Sequence, residues 1–264
     1  MSGGIFGHVV ELYEYRSMIA NLVKRELRGR YKGSLLGFLW NFIIPLMQIV
    51  VYVMVFTIVF RQNIEDYYVY LIVGMVPWVL FSDSVSAGSG SIVENSYLIT
   101  KIYFPRAVIP ISIVLSKFVN YLISMAIVFL VIAVGGHGFN YVVLPTLILS
   151  TLLLLLFSIG IALILAAADV FMRDVQYMVA VILMLFIWLT PIMYVRDFID
   201  NYWFQLMLDL NPMTYFVELF QDALYWGVAP TVQCIVVSSI LALAATVVGM
   251  FVFEKVSPDF AEVI

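Results

Sequence analysis

Six long apolar runs constrain this chain more than any other feature. A helix that crosses a bilayer needs roughly 20 mostly apolar residues. Runs at about Leu35 to Phe60, Tyr67 to Ser84, Val108 to Val134, Val142 to Ala168, Val175 to Tyr194 and Thr231 to Phe253 meet that need. Of 264 residues, 64% are hydrophobic and 11% charged. A soluble domain holds about 45–50% and about 25%. Polar surface cannot cover so large an apolar content, so the sequence predicts an all-α integral membrane fold with six transmembrane helices. A secretory signal peptide is not expected, because residues 1 to 32 are charged and the first apolar run is too long for one.

Six spans leave both termini on one side, and positive charge selects the side. One side holds Arg16, Lys24, Arg25, Arg28, Arg30, Lys32, Lys101, Arg106, Arg173 and Lys255. The other holds only Arg61 and Arg196, with the acids Glu65, Asp66, Asp197, Asp200, Asp209, Glu218 and Asp222. Both termini are therefore expected in the cytoplasm.

The stretch NLVKRELRGRYKGSLLGFLW, residues 21 to 40, sets dense positive charge against the first apolar run. Upstream, residues 11 to 28 read as an interface helix. Leu12, Tyr15, Ile19, Leu22, Val23 and Leu27 share one face, with Ser17, Asn21, Lys24, Arg25 and Arg28 on the other. Arg16, Glu26 and Arg30 depart from this pattern by falling towards the apolar side. Such a helix anchors a chain on anionic lipid, and it can also form part of a docking or entry surface.

Two connections are too elaborate for plain loops. In GSGSIVENSYLITKIYFPRAVIP, Ser91 and Glu94 have capping-box spacing, which predicts a short helix from Ile92 to near Lys101 that carries Tyr97. That helix either presses on a partner protein or rests on the bilayer. The segment from 196 to 230 is apolar but interrupted at Asn211-Pro212, a good N-cap followed by a good first helical residue. It predicts two short helices, about Phe198 to Leu210 and about Pro212 to Trp226, which enter the membrane and return. The alternative is a flat interfacial hairpin. A backbone break at membrane depth must be satisfied by protein or water, which points to the mouth of a cavity.

No motif for bond-making chemistry is visible. The chain has no phosphate-binding loop, no H-E-x-x-H, no G-x-S-x-G and a single cysteine, Cys234. Asp83, Asp169 and Asp174 lie at span ends, where local pairing is the simplest reading. Lys117, within the third span, reads as a side chain snorkelling to the surface. Tyr67, Tyr68, Tyr202, Trp203, Tyr215 and Phe216 belong to an aromatic concentration on the acidic side. An interfacial belt accounts for most of it, and a minority could line a path for sugar rings.

Five segments in order, RYKGSLLGFLWNFIIPL, FPRAVIP, FMRDVQY, TPIMY and NPMTYFVELFQ, resemble the membrane subunits of bacterial ABC-2 type exporters. The nearest branch is the polysaccharide exporters, with O-antigen permeases closest, then capsule and teichoic acid permeases. The last segment fits the end of the family signature through Pro212, Met213, Tyr215 and Gln221.

The resemblance implies a multi-pass homodimer in the bacterial cytoplasmic (inner) membrane. Each subunit would bind a separate cytoplasmic ATPase, so two ATPase copies carry the ATP and Mg, and this chain holds no cofactor or metal of its own. No nucleic acid is implied; lipid-linked polysaccharide and membrane lipid are. Residues 1–32 would form the interface segment with Lys24, Arg25 and Arg28. Residues 33–254 would form the six-span domain, and residues 255–264 a cytoplasmic tail. Ser91, Glu94, Tyr97 and Lys101 would couple to the ATPase. Arg30, Lys32 and Arg106 could attract a lipid pyrophosphate at entry. Tyr202, Trp203, Asn211, Pro212, Tyr215 and Phe216 would form the re-entrant gate and aromatic path. Rival readings are a teichoic acid, capsule or small-molecule exporter, an integral-membrane glycosyl- or acyltransferase, and a passive channel.

Overall fold

The computed structural model describes residues 11–29, 39–59, 64–101, 103–136, 140–196 and 200–263. All regular structure among them is helical. The amphipathic helix α1 spans Arg16–Gly29. Next come α2, Trp40–Met54, continued by a π-turn at Val55–Val59, and α3, Tyr67–Ser89. Two short helices follow, α4 at Ser91–Glu94 and α5 at Ser96–Lys101. Then come α6, Val108–Val134, α7, Leu144–Phe171, and α8, Val175–Phe186. The chain ends with α9, Tyr202–Leu210, α10, Pro212–Leu224, α11, Val232–Val256, and α12, Phe260–Val263.

Four described stretches are long and apolar enough to cross a membrane: Tyr67–Ser89, Val108–Val134, Tyr141–Phe171 and Val232–Asp259. They coincide with the second, third, fourth and sixth expected runs. The fifth run is not helical to its end. Helix α8 covers 12 residues, about 18 Å, and turns fill the stretch as far as Tyr194. Beyond Phe186 the chain continues in i→i−3 turns to Thr190, and Pro191, which has no N–H and disfavours helical geometry at the residue before it, prevents the helix from resuming.

The burial of these helices ranks their roles. The most apolar window of α3 is 72% buried, against 28% in α6 and 22% in α11. Helix α3 is thus a central shaft packed by α6 and α7, whereas α6 and α11 turn broad apolar faces outward. Apolar residues all round α3 follow from this position.

The most extensive helix pair is α7 with α11. At their crossing, a Cβ on Gly160 would lie 2.3 Å from the Ala245 carbonyl carbon, and one on Gly249 would lie 2.3 Å from the Gly160 oxygen. Thr246 adds a hydrogen bond from its hydroxyl to the Leu156 carbonyl at 2.9 Å. Small residues at this point let the two backbones touch, the usual way apolar helices associate without a hydrophobic drive.

Among the described residues, two large clusters and a small one at Tyr215, Leu219 and Cys234 make up the interior. The larger joins α3 to α6, α7, α10 and the turn at Ile192–Tyr194. The second lies at the end of the bundle that carries the basic helix. It gathers Ile92, Leu98, Ile99, Phe104, Phe253 and Phe260, with Leu12, Tyr15, Ile19 and Leu22 packed on its edge. The expected apolar face of the interface helix is therefore in contact with protein. The described residues after Glu254 do not simply trail away, because Phe260 is fully buried against Phe253 and Phe171.

Replacing Gly160 with alanine forces α7 and α11 apart. Thermal unfolding in detergent should show a loss of about 1–3 kcal/mol, the usual cost of overpacking. Gly29→Ala, where nothing lies within 4 Å of the new methyl group, is the control and should leave stability unchanged.

Candidate functional site

Expected functional residues fall at the two ends of the bundle. At the basic end, the connection after α3 is split by Asn95 into α4 and α5. The expected capping box does not form. Gly90 is the N-cap, Ser91 is the first helical residue, and its buried hydroxyl has no partner among the described residues. The reason is continuity: α3 runs almost directly into α4, so Ser91 faces the bundle interior instead of capping a free helix start.

The interface helix reaches this connection directly. Arg25 donates to the Asn95 side-chain oxygen at 2.6 Å, and Asn95 in turn donates to the Ser91 carbonyl at 2.9 Å. Lys24 and Arg28 stay exposed, as do Tyr97 and Lys101. A cavity of about 380 Å³ opens beside α4, lined by Asp83, Ser86, Ala87, Glu94, Gln176 and Tyr177. Asp169 is fully buried; its Oδ1 accepts the Gln176 backbone N–H at 3.2 Å, while its Oδ2 has no hydrogen-bond partner among the described residues, so the expected local pairing is only half met. Lys117 is 4% exposed, so its side chain lies within the protein and does not snorkel to the surface.

Of the three cations expected at an entry site, Arg30 and Lys32 lie outside the described residues. Arg106 is half-buried with its guanidinium 5.9 Å from the Phe260 ring centre, and its Nη1 has no partner among the described residues.

At the opposite end, the interrupted segment forms α9 and α10 around Asn211. Asn201 caps α9 by accepting from the Trp203 and Phe204 N–H groups. Asn211 caps α10, as expected, by accepting from the Met213 N–H at 2.9 Å. Its amide also donates to the Leu189 carbonyl and to the Thr190 hydroxyl, each at 2.9 Å. Helix α10 is inserted among α3, α7 and α11, and Asn211 is 4% exposed. The break is therefore satisfied by protein.

The four expected path aromatics divide in two. Tyr202 and Trp203 are 73% and 68% exposed and meet edge to face with ring centres 5.5 Å apart. Tyr215 is buried and donates to the Asp209 carbonyl at 3.1 Å. Phe216 is fully buried and stacks on Phe157 at 4.9 Å. It has no free face within the protomer, because α10 is packed on three sides. Tyr67 is likewise no belt residue: it is buried and donates to the Met193 carbonyl at 2.6 Å.

Two arrangements here were not singled out from the sequence. Arg196 pairs with Asp209 and with Glu218, which ties the segment before α9 to both hairpin helices. Tyr67, Tyr70 and Gln221 all donate to backbone carbonyls of the turn at 191–194. The available signals were one cation amid many acids, and the final glutamine of the signature segment.

The Glu94 carboxyl is held above its ordinary pKa. Partial burial is the main cause, followed by the Glu26 and Asp169 carboxylates, with Lys117 opposing. A raised folded pKa means that ionised Glu94 costs stability. That cost is present above the folded pKa and vanishes below the unfolded value of about 4. Glu94→Gln should therefore melt higher than wild type at pH 7.5 in detergent, and the gap should close as the pH approaches 4.

Comparison with known proteins agrees with this architecture. The ABC-2 type transporter family pattern matches residues 18–225. The O-antigen export system permease protein RfbA of Myxococcus xanthus is 36% identical over 257 residues, covering 96% of this chain and 98% of the relative. The RfbA of Klebsiella pneumoniae is 29% identical, covering 94% of this chain and 95% of its own length. The polysialic acid transport protein KpsM of Escherichia coli is 26% identical and covers 78% and 80%. The family pattern covers most of the chain and the first relative nearly all of it: this chain belongs to the ABC-2 type transporter family of integral membrane permease subunits.

Proposed function

We propose that this chain is the transmembrane subunit of an ATP-driven exporter that moves a lipid-linked, O-antigen-like polysaccharide across the bacterial cytoplasmic membrane. One observation carries the reading: near end-to-end similarity to an O-antigen export permease at 36% identity. The more distant likeness to a polysialic acid transport protein favours capsule export as the second reading.

In this reading the protein is a homodimer with two cytoplasmic ATPase subunits. Residues 1–32 form the interface segment, 33–254 the six-span domain and 255–264 the tail. The basic end, with both termini, faces the cytoplasm, where the positive-inside rule would put it. Helices α4 and α5 take up force from the ATPase through exposed Tyr97 and Lys101, and Arg25 on α1 steadies them through Asn95. ATP and Mg belong to the partner chain. Arg106, with Arg30 and Lys32, draws in the lipid pyrophosphate by charge-assisted hydrogen bonds.

The hairpin α9–α10 is the re-entrant gate on the far side. Tyr202 and Trp203 have free ring faces on which sugar C–H groups can slide. Asn211 and Pro212 fix the break, and Tyr215 and Phe216 stiffen it from within. Export of a long polar chain needs contacts that are weak and tolerant of register, which single exposed rings supply.

Deleting the gene should abolish surface glycan, and returning it should restore export. Cysteines at Lys101 and Trp226, in a Cys234→Ser background, should label from opposite faces; labelling of both from outside would refute the topology. Tyr202→Ala and Trp203→Ala should lower surface glycan at unchanged melting temperature, with Tyr68→Ala as the exposed control. Phe216→Ala should instead lose about 3–5 kcal/mol of stability, as a buried aromatic does. Equal export by all three exposed variants would remove the aromatic path.

A further inference from the structure

We infer that Gln221, with Tyr70 and Tyr67, is a positioning residue that clasps the turn at 191–194 to α3, so that α3, the turn and the hairpin move as one body during export. The inference rests on the export reading above and adds how the stroke reaches the gate.

The geometry is specific. The Gln221 amide on α10 donates to the Pro191 carbonyl at 2.9 Å. From α3, the Tyr70 hydroxyl donates to the Tyr194 carbonyl at 2.9 Å and lies 3.3 Å from that of Pro191. Tyr67 reaches the Met193 carbonyl at 2.6 Å. The three side chains are 2–5% exposed. From the hairpin break, Asn211 holds the Leu189 carbonyl just upstream. The turn has no helix to satisfy these carbonyls, so side chains from α3 and α10 do it together. The closeness extends to backbone. A Cβ on Gly74 would lie 3.1 Å from the Gln221 amide nitrogen and 3.5 Å from the Ile192 Cα. At its other end α3 continues into α4 across Gly90 alone. One buried helix thus connects the coupling segment to the gate, and Gln221 is the hairpin side chain that shares with Tyr67 and Tyr70 the hold on the carbonyls of 191–194, beside Asn211 upstream.

Freeing the turn would let α3 move without the hairpin. Gln221→Leu keeps the bulk and removes the donor. The complex with its ATPase should then hydrolyse ATP at the wild-type rate but export about fivefold less, the shift expected for one lost buried hydrogen bond. A purely structural role would lower hydrolysis, export and protein level together, and that result overturns the clasp.

The second test is covalent. Cysteines replacing Gly74 and Ile192, in a Cys234→Ser background, place a thiol on each side of the contact, where a Cβ on Gly74 would lie 3.5 Å from the Ile192 Cα. The oxidised pair should export normally and should restore export to Gln221→Leu. An oxidised pair that blocks export, with recovery on reduction, would show that α3 and the turn separate in the cycle and would overturn the inference. Where the cysteine pair does not accumulate, the export-to-hydrolysis ratio of Gln221→Leu decides alone. A wild-type complex that delivers no glycan refutes the export reading and removes the clasp with it.

Discussion

Buried backbone that leaves its helix must find partners within the protein, and the structure is organised around that demand. Two such places occur side by side, the turn after α8 and the break at Asn211. Each is satisfied by side chains from neighbouring helices: Asn211 and Gln221 from the hairpin, Tyr67 and Tyr70 from α3. This explains why α3 is the most buried of the long helices. It must stand at the centre to offer tyrosines to the turn on one side and packing surface to α10 on the other. The cluster around α3 follows from that arrangement.

The other end of the bundle obeys a different rule. There α4 and α5, between α3 and α6, expose Tyr97 and Lys101 while burying Ile92, Leu98 and Ile99. The same apolar cluster holds the face of α1 and the ring of Phe260. The basic helix is thereby fixed against α4 and α5. Its contact with Asn95 is a charge-assisted hydrogen bond placed where α4 meets α5.

Much of this was legible in the sequence because it depends on local pattern. Run length located the long helices, charge spacing located the amphipathic helix, and Asn211-Pro212 located the break and its cap. What depended on contact was hidden. Ser91 has the spacing of a cap, but Gly90 carries α3 straight into α4 and leaves the hydroxyl inside. Tyr67 and Tyr68 look alike in an aromatic-rich segment, yet they are 5% and 37% exposed because successive residues point about 100° apart around a packed helix. Phe216 looks like a path residue from composition and is a core residue by packing. The Arg196 pairs join residues 13 and 22 positions apart, beyond the reach of any local period.

Rigidity is distributed unevenly among the long helices, and this bears on how force could cross the membrane. The α7–α11 pair meets backbone to backbone at Gly160 and Gly249, so it has no side-chain layer to slide on and serves as a fixed post. Helix α3 differs. Pro77 lies inside it and removes the hydrogen bond to the Val73 carbonyl, so bending there costs less than elsewhere along the shaft. The outer portion, Tyr67 to Gly74, is bonded to the turn; the inner portion leads to α4. A bend at Pro77 would carry the outer portion, the turn and the hairpin together, and a shift of the whole shaft would do the same. Either motion works against the fixed post, and either reaches the hairpin through the Gln221 bond to Pro191, the Asn211 bonds to Leu189 and Thr190, and the packing of α10 on α3.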